Sequence, residues 1–183
     1  MAEKEKMANS LKVVNKLRAI ERETGVRFEE ISIPRIVLVG GQSAGKSSVL
    51  ESFVGLDILP RGNEIVTLRP LELTLETSED KIWGEFGHMK GKQFPIEKVE
   101  KEIRSATNKE APGLYSYESP ISLTIHSPNV PNLTLIDLPG VVRDRVGDQP
   151  TDIEAQITKM IMKYIKGKNT IILAVTPANM DLA

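Results

Sequence analysis

Between the apolar run Arg35-Ile36-Val37-Leu38-Val39 and the stretch VLESFVG stands GGQSAGKSS, residues 40–48, and no other feature of the chain narrows its possible folds so far. A short β-branched run bounded by Pro34 and Gly40 reads as a strand buried on both faces, and Lys46 to Phe53 reads as a helix. Strand, glycine-containing turn and helix in this order form a βα unit with Gly40-x4-Gly45-Lys46-Ser47 at its corner, the Walker A pattern in the context that makes it a site. Phosphate oxygens need donors that are already in place. The small residues Gly40, Gly41, Ser43, Ala44 and Gly45 let backbone N–H groups converge, and a helix beginning at Lys46 turns its positive end inward. Lys46 adds a cation for terminal phosphates, and Ser47 is placed to offer its hydroxyl to Mg²⁺.

Asp137-Leu138-Pro139-Gly140 directly follows the apolar run Leu133–Ile136 and supplies a second half. A strand-end aspartate can hold a metal through water, and the glycine after it can turn a backbone N–H to a γ-phosphate. Between the two motifs lies Leu59-Pro60-Arg61-Gly62-Asn63-Glu64-Ile65-Val66-Thr67, expected to reach over the phosphates. A threonine there can bind Mg²⁺ by its hydroxyl and an attacking water by its carbonyl, or the stretch can be a plain connection.

The remaining elements follow from periodicity. Leu11, Val14 and Leu17 recur at helical steps within Ala8–Glu23, an amphipathic helix that packs on the domain's own core or joins a helical bundle. Residues 71–75 alternate as a strand with one solvated face, Lys81–Phe86 makes a weaker strand, and Ile96–Thr107 a charged helix. Residues 121–125 and 133–136, joined by the turn-forming SPNVPN, read as a hairpin. Asp152–Lys166 forms a helix with Ile153, Ile157, Met160, Ile161 and Tyr164 inward and Gly167 as its C-terminal cap, before a buried strand over Thr170–Val175. Alternating strands and helices argue an α/β class, a P-loop NTPase fold with a mostly parallel sheet flanked by helices and an antiparallel hairpin at one side.

Composition limits the alternatives. With 183 residues, 40% hydrophobic and 27% charged, the chain suits one substantial core. Its 24 basic and 25 acidic side chains give a formal charge of −1, so there is no electrostatic footprint for nucleic acid. Without cysteine, disulfides and Cys-based zinc sites are excluded, which suits a cytosolic setting. No run approaches the roughly 18 apolar residues of a membrane span, and no secretory signal is visible. His88 and His126 lack ligand-spaced partners and read as surface or hydrogen-bonded histidines, and Trp83 as core or a half-buried face.

GGQSAGKSSVLESFVG followed by LPRG, IVT and RPLEL, then LTLIDLPG, GDQPTDIEAQI and ILAVTPAN, resembles the N-terminal part of the GTPase domain of the dynamin superfamily, from Leu11 onward. The resemblance implies GTP rather than ATP, a large multidomain parent with a helical stalk, and a cytoplasmic protein that associates peripherally with membranes. It further implies self-association through the GTPase domain and assembly on membranes or on cytoskeletal filaments such as microtubules. It divides the chain into an N-terminal bundle-type helix, 1–25, and a partial GTPase domain, 26–183. It makes Lys46, Ser47 and Ser48 phosphate and Mg²⁺ contacts, and Thr67, Asp137 and Gly140 the switch residues. Gln42 resembles the residue that helps orient the attacking water, and Ser43 the one that, with carbonyls of the loop containing Arg61 and Gly62, holds a monovalent cation, K⁺ or Na⁺.

The sequence departs from the family pattern at Glu64, where glycine is usual, at Leu68, where arginine is usual, and at Arg143-Asp144-Arg145, usually more apolar. A glutamate lacks the backbone freedom of a glycine, which bears on the cation site. The Thr/Asn-Lys-x-Asp motif that reads guanine is absent, so the chain is expected to be a truncated part of the domain. The leading expectation is a Mg²⁺-dependent GTPase driving membrane remodelling in its parent. The alternatives are a nucleotide-binding assembly scaffold with little hydrolysis, and an ATP-using P-loop enzyme.

Overall fold

The computed structural model describes residues 35–60, 69–79, 81–110, 120–141, 152–167 and 169–179, with a few N-terminal positions. Those N-terminal positions, 9, 10, 13, 14, 16, 17, 20 and 24, are all helical, in keeping with the periodicity of Ala8–Glu23. Thr24 donates its hydroxyl to the Ile20 carbonyl at 2.8 Å.

Among the described residues six strands form one sheet: β1 (Arg35–Val39), β2 (Leu71–Thr77), β3 (Trp83–Phe86), β4 (Ile121–Ser127), β5 (Leu133–Asp137) and β6 (Thr170–Ala174). Their order is β3-β4-β2-β5-β1-β6. The ladders β1–β5, β1–β6 and β2–β4 are parallel, whereas β2–β5 and β3–β4 are antiparallel, so the sheet is mixed. Among the described residues three helices flank it: α1 (Lys46–Val54), α2 (Val99–Glu110), entered through a turn of 3₁₀ helix at Ile96–Lys98, and α3 (Ile153–Ile165).

Alternation along the strands assigns the faces. Leu38, Leu71, Leu73, Leu75, Leu123, Ile125 and Leu135 point to one side and meet Leu50 and Val54 of α1 and Ile103 and Ala106 of α2. Val37 and Ile136 point to the other and meet Ile153, Ile157, Met160 and Ile161 of α3. Over β2 that second face is polar, and Thr74 and Thr134 share a buried hydroxyl contact of 3.3 Å. Helices on both faces of the sheet bear out the α/β expectation.

Three local expectations are corrected. The segments 121–127 and 133–137 do not form a hairpin, because β2 lies between them. The turn residues instead cross the end of β2: the Thr77 N–H donates to Asn132 Oδ1 at 2.9 Å, and its hydroxyl to the Val130 carbonyl at 2.9 Å. Stepping over one strand needs only about 10 Å, which a five-residue link spans easily. The strand at 170–174 is an edge rather than a doubly buried strand among the described residues, with Ile171 and Ile172 57% and 50% exposed. Helix α3 ends with the Lys166 N–H on the Met162 carbonyl, and the left-handed residue that follows is Asn169, φ 65°, rather than Gly167.

Candidate nucleotide-binding site

The turn after β1 and the segment after β5 run side by side. The parallel register that sets Leu38 beside Asp137 continues past the strand ends as a bridge between Gly41 and Val141. The Val141 N–H donates to the Gly40 carbonyl at 3.1 Å, and the Gln42 N–H to the Val141 carbonyl at 3.4 Å. The two motifs, far apart in sequence, thus form one surface at the carboxyl end of the central strands, where ligands of open α/β sheets bind.

Backbone shape gathers N–H groups on this surface. Ser43 and Gly45 both take left-handed angles, φ 60° and 97°, which turn successive N–H groups to one side. At Gly45 only glycine adopts such angles without strain. Helix α1 starts at once at Lys46, and its first internal bond joins the Val49 N–H to the Gly45 carbonyl at 3.0 Å. The N–H groups of Lys46, Ser47 and Ser48 therefore have no intrahelical acceptor, and the positive end of the helix dipole opens at the turn.

Lys46 is buried, and its Nζ reaches back to the carbonyls of Gly40 and Gly41 at 3.3 and 3.1 Å. Burial lowers its pKa, and the charge of Asp137 acts the other way. Asp137 is buried too, and desolvation pushes its pKa up to about 7 against the pull of Lys46. Its Oδ1 has no hydrogen-bond partner among the described residues. Ser47 and Asp137 line a common cavity of about 20 Å³. A carboxylate and a hydroxyl are hard oxygen donors of the type Mg²⁺ takes, and a metal's bound water would satisfy the orphaned oxygen, so the residues fit that ion.

The predicted residues are thus placed as follows. Gly40, Gly41, Gln42, Ser43, Ala44, Gly45, Lys46, Ser47 and Ser48 form the turn and the first residues of α1, with Gln42, Ser43 and Ser48 exposed. Asp137 and Gly140 stand beside them. Arg61, Gly62 and Thr67, with Glu64 and Leu68, lie outside the described residues, as do Arg143-Asp144-Arg145.

Two contributors escaped the sequence reading. Glu51, buried on α1, accepts the N–H groups of Ile58 and Leu59 on Oε1, both at 3.1 Å, and so fixes the chain leading to Pro60. Its signal was an acidic residue on the inward side of an otherwise apolar helix face. Arg69 is buried and donates Nη1 to the Ala106 carbonyl at 2.7 Å, a contact no local pattern announces.

A family model described as "Dynamin family" matches residues 36–183. The chain belongs to the dynamin family. It is 49% identical over 179 residues to Dynamin of Drosophila melanogaster, covering 97% of this chain and 20% of that protein. Over 157 residues it is 55% identical to Dynamin-3 of Homo sapiens, covering 84% of this chain and 18% of that one. Dynamin-related protein 3A of Arabidopsis thaliana is 48% identical over 182 residues, with 93% and 22% covered. The chain spans about a fifth of the length of the curated relatives it matches. The family relation bears out the resemblance read from GGQSAGKSS and DLPG, and among the described residues no helix is long and apolar enough to cross a membrane.

Proposed function

We propose that this chain is the phosphate- and Mg²⁺-binding part of a GTPase that cuts the β–γ bond of GTP by in-line attack of water. One observation carries the reading: Lys46 and Asp137 are buried together at a helix N-terminus, with Asp137 Oδ1 unpartnered among the described residues. Each group gains from what a nucleotide brings. Phosphate oxygens would give Lys46 a counter-charge that two carbonyls do not, and a cation beside Asp137 would favour its ionised form.

In this reading backbone N–H groups from Gly40 to Ser48 hold the phosphates, and Gly140 offers its N–H to the terminal one. Ser47, Thr67 and, through water, Asp137 would hold Mg²⁺, which would supply charge neutralisation on the phosphoryl oxygens. Gln42 and the Thr67 carbonyl orient the attacking water. Ser43, with carbonyls of Arg61 and Gly62, would hold K⁺ or Na⁺ in the place an arginine finger takes elsewhere, an assignment that rests on the family relation. The catalytic work of these side chains is positional and electrostatic.

The preference for guanine also comes from the family relation, as do the wider roles. Residues 1–25 would belong to a helical bundle and 26–183 to the GTPase domain. The domain would self-associate, and other regions would carry the cytoplasmic protein to a membrane or a cytoskeletal filament for remodelling. The test is turnover of GTP and ATP by the full-length protein with Mg²⁺, in K⁺ or Na⁺ and in a large organic cation. Mg²⁺-dependent turnover of GTP in preference to ATP, faster with K⁺ or Na⁺, supports the reading. Negligible, cation-independent turnover supports an assembly scaffold instead, and equal use of ATP removes the guanine assignment.

A further inference from the structure

Glu51 ties one bend of the chain at two points. Its backbone carbonyl accepts the N–H of Gly55 at 2.8 Å, where α1 ends, and its side-chain Oε1 accepts the N–H groups of Ile58 and Leu59, both at 3.1 Å. The residue is 6% exposed. Burying a carboxylate is unfavourable unless it meets good partners, and two consecutive N–H groups on one oxygen are such partners. Ile58 and Leu59 lie in neither helix nor strand, so no ladder would satisfy those groups in its place.

Past the bend the chain returns along α1 toward its start. Ser47 stands four residues before Glu51, on the same side of the helix. Leu59 and Pro60 line the cavity of about 20 Å³ together with Ser47 and Asp137. Leu59 is therefore both a wall of that cavity and a direct hydrogen-bond partner of Glu51.

A cavity of this size has room for about one water. Such a water suits the orphaned Oδ1 of Asp137, which is buried and lacks a hydrogen-bond partner among the described residues. Ser47 and Asp137 are held in place by α1 and β5. Leu59 and Pro60 belong to a link outside the regular elements, so their position depends on the side chain that anchors them.

We infer that Glu51 is a positioning residue for the metal site: by holding Leu59 it sets one wall of the cavity shared by Ser47 and Asp137, and so fixes the room for the water through which Asp137 would hold Mg²⁺. The inference rests on the reading of Ser47 and Asp137 given above. Partners outside the ligand set that orient a metal's surroundings commonly change its affinity about 10- to 100-fold. The turn after β1 keeps its own backbone shape, set at Ser43 and Gly45, so the effect falls on the metal and hardly on the phosphates.

The experiment follows the Mg²⁺ concentration for half-maximal binding of a non-hydrolysable GTP analogue by the full-length protein. It compares wild type with Glu51→Ala, Glu51→Gln, Glu51→Asp, Asp137→Asn and the double variant of Glu51→Ala with Asp137→Asn. Met160→Ala serves as a control, because Met160 is buried under α3 on the other face of the sheet and its truncation lowers stability away from the cavity. GDP affinity in excess chelator and melting temperature are measured alongside.

Glu51→Ala is expected to raise the Mg²⁺ requirement on the order of tenfold, with GDP affinity in chelator within about twofold of wild type. Glu51→Gln keeps a carbonyl acceptor for Ile58 and Leu59 and stays within about twofold of wild type in both. Glu51→Asp, whose acceptor is drawn back toward α1, falls between. In the double variant Glu51→Ala adds no further shift to that of Asp137→Asn, since both act on the same water.

An unaltered Mg²⁺ requirement in Glu51→Ala overturns the inference. So does an equal shift in Met160→Ala, an equal loss of GDP affinity in chelator, or full additivity with Asp137→Asn, each of which indicates a merely structural role. If Glu51→Ala fails to fold, Glu51→Asp decides, and a wild-type Mg²⁺ requirement there overturns the inference. Asp137→Asn separates the two levels. A raised requirement in that variant beside an unaffected Glu51→Ala removes only the role of Glu51, whereas an unaltered requirement in Asp137→Asn overturns the metal site and the inference together.

Discussion

Gly140 lies so close to the main chain of Gln42 that a β-carbon at 140 would stand 2.7 Å from the Gln42 nitrogen and 2.8 Å from its Cα. Together with the hydrogen bonds of Val141 to Gly40 and Gln42, this contact locks the segment after β5 to the turn after β1. The obstacle is backbone on both sides, so neither side can swing away as a long side chain would.

Gly140→Ala must therefore push the two segments apart. Overpacking of this type disfavours the native arrangement by about 1–3 kcal/mol, concentrated here at the turn. Affinity for a GTP analogue is expected to fall on the order of tenfold or more, with the fold retained by circular dichroism. Unchanged affinity would show that this close approach is irrelevant to binding.

Asp137→Asn removes the negative charge proposed to hold the water shell of Mg²⁺. The Mg²⁺ concentration for half-maximal nucleotide binding should rise about 10- to 100-fold, as for loss of other outer-shell metal partners. Titrating Mg²⁺ at fixed GTP analogue measures it, and an unaltered requirement would take Asp137 out of the metal site.

Glu51 offers a test on stability. Glu51→Ala strands the buried N–H groups of Ile58 and Leu59, at about 1–3 kcal/mol for each, whereas Glu51→Gln keeps a carbonyl acceptor. The melting temperature should drop by several degrees in the alanine variant and much less in the glutamine one. Equal melting temperatures would contradict the bracing role.

A pH-dependent signal should come from the far edge of the sheet. Trp83 stacks on His126 with ring centroids 3.8 Å apart, and burial lowers the pKa of His126 below 6.5 against the opposing charges of Glu76 and Glu85. The unfolded chain then takes the proton first as pH falls, so this contribution to stability is complete above 6.5 and declines as pH drops toward the folded pKa. The emission lost in Trp83→Phe should titrate with a midpoint below 6.5, and the step should vanish in His126→Gln. A midpoint at or above 6.5 would refute the shift.

What the sequence disclosed was local. The β1–turn–α1 unit was legible because its strand, its small residues and its helix are contiguous, and DLPG because it follows directly on an apolar strand. Strand order was not legible, since SPNVPN carries hairpin turn chemistry whether its flanking strands touch or straddle β2. β6 stands at an edge among the described residues, and TIILAV reads alike on an edge and in a centre because side-chain runs do not report neighbours. Glu51 and Arg69 were missed for a related reason: the main-chain partners that one charged side chain on an inward face meets are brought to it by folding.

The central claim is that the turn around Lys46 neutralises a nucleotide's terminal phosphates. Equilibrium binding of a non-hydrolysable GTP analogue with Mg²⁺ to full-length wild type and Lys46→Ala tests it most directly. The account predicts at least about a hundredfold weaker binding in the variant, with circular dichroism unchanged. Affinity within about twofold of wild type would contradict it.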